Sequence, residues 1–272
     1  MTSPAVIHGS PFSRVAALVL RHWYILRGSW LRIIDLAYWP TVQMVMWGFL
    51  SEFLAKQTTY VAQAFGVLIA GMLLWDVLVR GQLGLSISFL EEMWSRNLGH
   101  LFASPIRPIE FAAGIVTMSL IRTVVGMVPV TILTVIFFGF SIYSLGWPLL
   151  AFFFALQMFG WGVGLAISGM VLRKGLGAET FAWAAVFILL PVSGVYYPID
   201  VLPTWLQWIA WALPPAYVFE GMRAVLAKEL LRPELLAGAL ALSLIYLGIG
   251  FGCFLWLFNG ARGKGLLSTQ GE

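Results

Sequence analysis

The chain has 272 residues, 60% hydrophobic and 10% charged, where a soluble domain carries roughly 25% charge, and its mean hydropathy of +0.90 makes lipid its solvent. At about 20 apolar residues per crossing of a hydrocarbon core roughly 30 Å thick, it has room for about six crossings and little for a catalytic globule. The net charge of +4 sits on basic residues scattered through apolar sequence, with no dense stripe, so nucleic acid is not an expected partner.

Residues 1–31 read as a helix lying in the membrane interface. Phe12, Ala16, Val19, Trp23 and Leu26 recur at helical spacing, while Arg14 and Arg21 share another face and Arg27 follows. The arginines are placed to meet anionic headgroups and Trp23 to sit at the polar boundary. The same arginines interrupt the first apolar run and no small-residue cleavage site follows, so a cleaved signal peptide is not expected.

Six spans are predicted next, over residues 33–54, 61–84, 109–140, 147–172, 178–197 and 235–258. An even number puts both ends of this segment on one side. Arg14, Arg21, Arg27, Arg32, Arg96, Arg107, Arg173, Lys174, Arg262 and Lys264 fall on that side, and only Lys56, Arg223, Lys228 and Arg232 on the other. The positive-inside rule therefore places both termini, and the tail 259–272, in the cytoplasm.

Two connections are more than turns. Between the second and third spans, Ser88 and Glu91 have the spacing of a capping box, Glu92 and Arg96 that of an i, i+4 ion pair, and Trp94, Leu98, Leu101 and Phe102 form an apolar stripe ending at Ser104 and Pro105. This predicts a short amphipathic cytoplasmic helix. On the outside, residues 201–213 form a Trp-rich helical segment with Pro203 in its first turn and Pro214 and Pro215 at its end. It is too short to span, and is either re-entrant or interfacial, anchored by Trp205, Trp208 and Trp211.

Charges at membrane depth need partners. Asp76 and Arg80 are four apart and neutralise each other as an ion pair; Arg122 either pairs with Asp76 across helices or lines a wet cavity. Gly160, Gly164 and Ser168, and Gly248 and Gly252, are small-xxx-small steps for close helix packing within or between protomers.

Chemistry of the chain's own is not expected. There is no G-x-x-x-x-G-K-[ST], so nucleotide phosphates are not cradled here, and no H-E-x-x-H or paired aspartates to hold a metal within the membrane. The histidines lie outside the predicted spans and no buried base stands ready to activate a nucleophile. The single cysteine, Cys253, excludes an intrachain disulfide.

The segments Glu91-Glu92-Met93-Trp94-Ser95-Arg96-Asn97-Leu98, Ala103-Ser104-Pro105-Ile106-Arg107-Pro108 and Ser193-Gly194-Val195-Tyr196-Tyr197-Pro198, followed by Leu202-Pro203 and Leu213-Pro214, together with the flat N-terminal helix and six spans, resemble the ABC-2 type permeases over nearly the whole chain. The resemblance implies an all-α integral membrane fold in a single transmembrane domain over 1–272, in a bacterial inner membrane. It implies a coupling helix carrying Glu91, Glu92, Trp94, Arg96, Asn97, Leu98, His100 and Leu101 into a cleft of a separate ATPase subunit, which binds the ATP and Mg. It further implies a second copy of the chain, with Phe65, Met72 and Trp75 from the second span and Phe187, Leu189 and Leu190 from the fifth near an amphiphilic cargo. The Trp-rich segment then serves as an external gate. An ion- or proton-coupled carrier or channel would instead carry acidic residues at membrane depth, where Asp76 is the one clear acid; a non-transporting scaffold is the reading outside transport.

Overall fold

Backbone polar groups in lipid have no water to bind and are satisfied within a helix or a closed barrel. In the computed structural model, which describes residues 10–57, 59–95, 97–227 and 232–263, the regular elements are all helical. They are α1 (Pro11–Arg27), α2 (Trp30–Gln57), α3 (Thr59–Trp94), α4 (Leu98–Ala103), α5 (Pro108–Phe138), α6 (Pro148–Lys174), α7 (Thr180–Val192), α8 (Thr204–Trp211), α9 (Pro214–Leu226) and α10 (Pro233–Gly263). Four of them, α3 from Gly66 onward, α5, α6 and α10, are both long and apolar enough to cross a membrane. Of the other two expected spans, α2 has 28 residues but carries Arg32, Asp35, Glu52 and Lys56, and α7 has 13, about 20 Å of helix.

The expected separate helix beginning at Ser88 does not form. α3 runs for 36 residues without a break, roughly 54 Å, because nothing between Gly84 and Trp94 stops it. Ser88 lies inside that helix and its hydroxyl donates to the Gly84 carbonyl at 2.7 Å, so it caps nothing. The break comes later, at Ser95 to Asn97, where the Asn97 amide donates back to Glu92 O at 3.0 Å, and α4 then covers only Leu98–Ala103.

The outer connection also differs. Pro203 is the N-cap residue of α8, and Pro214 and Pro215 open a further helix, α9, as its first residues. A proline closes one helix and opens the next equally well, since neither role needs its missing N–H. α9 buries Val218, Phe219 and Met222 in the core.

α6 lies between α3 and α10, and glycines set both approaches. A Cβ on Gly160 would lie 2.8 Å from Leu78 O of α3, and one on Gly164 2.9 Å from Gln82 O. A Cβ on Gly162 would lie 2.6 Å from Tyr246 O of α10, and one on Gly250 would collide with Gly162. Gly160 and Gly164 thus serve packing within the chain, whereas Gly248 and Gly252 face open space.

Buried polar side chains then tie the helices together, which in a low-dielectric interior holds them in one register. Arg80 pairs with Asp76 and donates to Leu36 O of α2. The Ser119 hydroxyl of α5 donates to Gly81 O at 3.2 Å and accepts from Trp161 Nε1 of α6 at 3.2 Å. Gln82 Nε2 donates to Ala182 O at 3.1 Å, joining α3 to α7.

Candidate functional site

The N-terminal helix begins at a Ser10 N-cap whose hydroxyl accepts from the Ser13 amide at 3.2 Å. Its buried stripe is Leu18, His22 and Leu26, while Phe12 of the expected apolar face is exposed. Leu18 packs on α5, where a Cβ on Gly114 would lie 3.1 Å from it.

Arg14 and Arg21 turn toward the protein rather than toward headgroups, because carboxylates from α3 and α5 reach them. Arg14 Nη2 donates to Glu110 Oε1 at 2.6 Å. Glu110 Oε2 in turn accepts from the Arg107 amide at 3.0 Å, so this carboxylate both closes the start of α5 and holds α1 on it. Arg21 Nη1 donates to Glu92 Oε1 at 2.5 Å. His22 Nδ1 lies 2.9 Å from Leu18 O, and its Nε2 lies 3.2 Å from Glu92 Oε1.

Glu92 is the hub. It is 1% exposed, and its Oε2 accepts from Asn97 Nδ2 at 2.8 Å, so one carboxylate fastens α1 and also fixes the elbow from α3 into α4. Its neighbour Glu91 contacts Arg32 Nη1 of α2 at 3.4 Å and Arg122 Nη2 of α5 at 3.1 Å. The expected pairing of Arg122 with Asp76 does not form: the acid it meets is Glu91, at the end of α3, while Asp76 pairs with Arg80. Arg96, expected to pair with Glu92, lies outside the described residues, as do Lys228 and Lys264.

Around this hub is a cleft of about 310 Å³ lined by Arg21, Ile25, Arg32, Glu91, Glu92, Trp94 and Ser95. Trp94 is 49% exposed and His100 is exposed, so both lie at the surface of the chain. Leu98 and Leu101 are buried in the chain's own core. They hold α4 in place and offer no surface.

The remaining predicted residues fall elsewhere. Trp23 is half-buried on α1 and Arg27 exposed at its end. Met72 and Trp75 are buried in the core, the side chain of Phe65 lies outside the described residues, and Leu189 and Leu190 are half-buried. Phe187 is 68% exposed on α7, so these residues do not share one surface of the chain. On α8, Trp205 and Trp208 are exposed, while Trp211 stacks edge-on against Tyr217 of α9 at 5.0 Å between ring centres.

His22, Arg32 and Glu110 were not singled out from the sequence. Only Glu110 had a local signal: Pro108 followed by an acid at the third helical position is a helix-start pattern.

The family described as ABC-2 type transporter matches residues 15–227 of the chain. The chain is also 25% identical over 162 residues to the inner membrane transport permease YadH of Escherichia coli strain K12, and to the protein of the same name in Escherichia coli O157:H7 and in Shigella flexneri. Each match covers 57% of this chain and 60% of the relative.

Proposed function

The chain belongs to the ABC-2 type transporter family, and from that premise we propose that it is the transmembrane permease subunit of an ATP-binding cassette exporter, moving an amphiphilic cargo out across the inner membrane. ATP and Mg act on a separate ATPase subunit, two copies of this chain pair to form the pathway, and both termini face the cytoplasm. Asp76 pairs with Arg80 of its own helix, where a proton- or ion-coupled carrier would carry rings or chains of acids at membrane depth.

The observation that carries the reading is the Glu92 hub. Because Glu92 holds Arg21 and Asn97 together, α1, the end of α3 and α4 form one cytoplasmic unit, with Trp94 and His100 as its exposed face. An ATPase that grips this face on binding ATP moves α3 directly, since α4 begins at Leu98, soon after α3 ends at Trp94. Exposed Trp beside charged groups is the usual make-up of such an anchor. The external α8, with Trp205 and Trp208, then serves as lid or gate.

The reading is tested by co-purifying the full chain with a candidate Walker-motif ATPase. Wild type retains the ATPase, and the combined Trp94→Ala and His100→Ala variant binds it at least about tenfold more weakly. Equal retention by the variant, or none by the wild type, contradicts the reading.

A further inference from the structure

α6 and α10 pack closely where Gly162 meets Gly250 and again where Gly169 meets Phe254 and Leu257. Beside this contact lies an apolar groove of about 320 Å³, with Ala166 and Met170 of α6, Phe181, Ala184 and Ile188 of α7, and Ile249 of α10 among its walls. Its surroundings are two helices long and apolar enough to span a membrane, so acyl chains, and not water, are what it meets.

One end of the groove is charged. The face of α6 that carries Ala166 and Met170 continues, at helical spacing, to Arg173 and Lys174. The face of α10 that carries Ile249 continues to Cys253 and Trp256, and the Arg173 guanidinium carbon sits 5.8 Å from the centre of the Trp256 ring. Arg173 and Lys174 are exposed, and among the described residues neither has an ion pair. From Gly162 to Arg173 the helix rises roughly 16 Å, about the depth of one leaflet. An apolar trough one leaflet deep, ending in two cations that have no ion pair among the described residues and a Trp beside them, matches an anionic amphiphile.

We infer that this groove is a site for one anionic phospholipid of the adjoining leaflet, with an acyl chain along Ala166, Met170 and Ile249 and the phosphate against Arg173 and Lys174. The inference does not rest on an ATPase partner or on the direction of transport. Such a lipid would fill the gap behind α7, whose inner side is otherwise joined to α3 through the Gln82 to Ala182 bond.

The experiment is native mass spectrometry of the purified full chain in detergent, titrated with phosphatidylglycerol or phosphatidylcholine of identical acyl chains. Wild type holds one phosphatidylglycerol at least about tenfold more tightly than phosphatidylcholine. Arg173→Gln with Lys174→Gln brings the two lipids to within about twofold, and Ala184→Phe, which fills the trough, displaces both. Equal affinity of wild type for the two lipids overturns the inference, as does unchanged binding in a folded Ala184→Phe variant. Cross-linking of a second copy of the chain across Ile249 and Ile188 in membranes overturns it as well. Because Arg173 and Lys174 are exposed, their replacement decides the headgroup question even where Ala184→Phe does not fold.

Discussion

Glu92 is an acid taken almost wholly out of water, a position that is tolerable only while its charge is paired and hydrogen-bonded. Removing the carboxylate leaves the Arg21 guanidinium and the Asn97 amide without their acceptor. Glu92→Ala should therefore cost on the order of 3 kcal/mol, measured by denaturant unfolding in micelles. Arg21→Ala leaves that buried carboxylate without its cation and should also cost more than about 1 kcal/mol. A loss below about 0.5 kcal/mol from Glu92→Ala, as at an ordinary surface position, would contradict the role given to Glu92. The pairing itself could not be read from the sequence. Arg21 and Glu92 are 71 positions apart, and Arg14 and Glu110 are 96, while periodicity reports only which side chains share a face of one helix. Asp76 and Arg80 were legible because their four-residue spacing is a local geometry.

Among the elements, the long apolar helices were the easiest to anticipate, with α5 and α6 falling within two residues of the expected ends. What misled was punctuation. Ser88 and Glu91 carry the residues of a helix start, but a start needs a preceding stop, and the apolar run from Leu83 to Met93 supplies none. Pro214 and Pro215 follow the end of α8 and are also the beginning of α9. The α9 helix they open holds the outer connection: Arg223 Nη2 donates to Gly194 O at 2.6 Å and to Tyr197 O at 3.1 Å, and Glu220 Oε1 accepts from the Ile199 amide at 2.8 Å. Gly194 sits at φ +68°, a conformation that suits glycine, so this turn is fixed by both its backbone and its clamp. Arg223→Lys keeps the charge but loses the planar fork, and amide exchange over residues 193–202 should quicken at least about tenfold, equivalent to about 1.4 kcal/mol of lost protection. The helix crossings give a sharper contrast. Gly250→Val forces α10 off α6 and should destabilise the chain by about 3 kcal/mol, whereas Gly252→Val, with open space around it, should stay within about 0.5 kcal/mol; similar unfolding midpoints for the two would disprove this account of the α6–α10 contact.

At the scale of the whole molecule, composition alone was enough for a polytopic helical membrane protein, and degenerate motifs were enough for its family. The parts that depend on another chain were not legible in the same way. Met72 and Trp75 were assigned to a pathway by resemblance, yet they are buried in this chain's own core. A helix hydrophobic all round carries no mark of which face meets lipid, core or cargo. The central claim is that the α3–α4 elbow is the docking face for an ATPase on the cytoplasmic side, and it can be tested by site-directed cross-linking. With Cys253→Ser removing the native thiol, single cysteines would replace His100, beside the elbow, and Tyr143, exposed in the connection between α5 and α6 at the other end of those helices. The chain would be expressed in cells together with the candidate ATPase and treated with a short thiol-to-lysine reagent. Cross-linking from position 100 and none from position 143 is the predicted result. Cross-linking from 143 instead, or from neither position while the two proteins still co-purify, would contradict it.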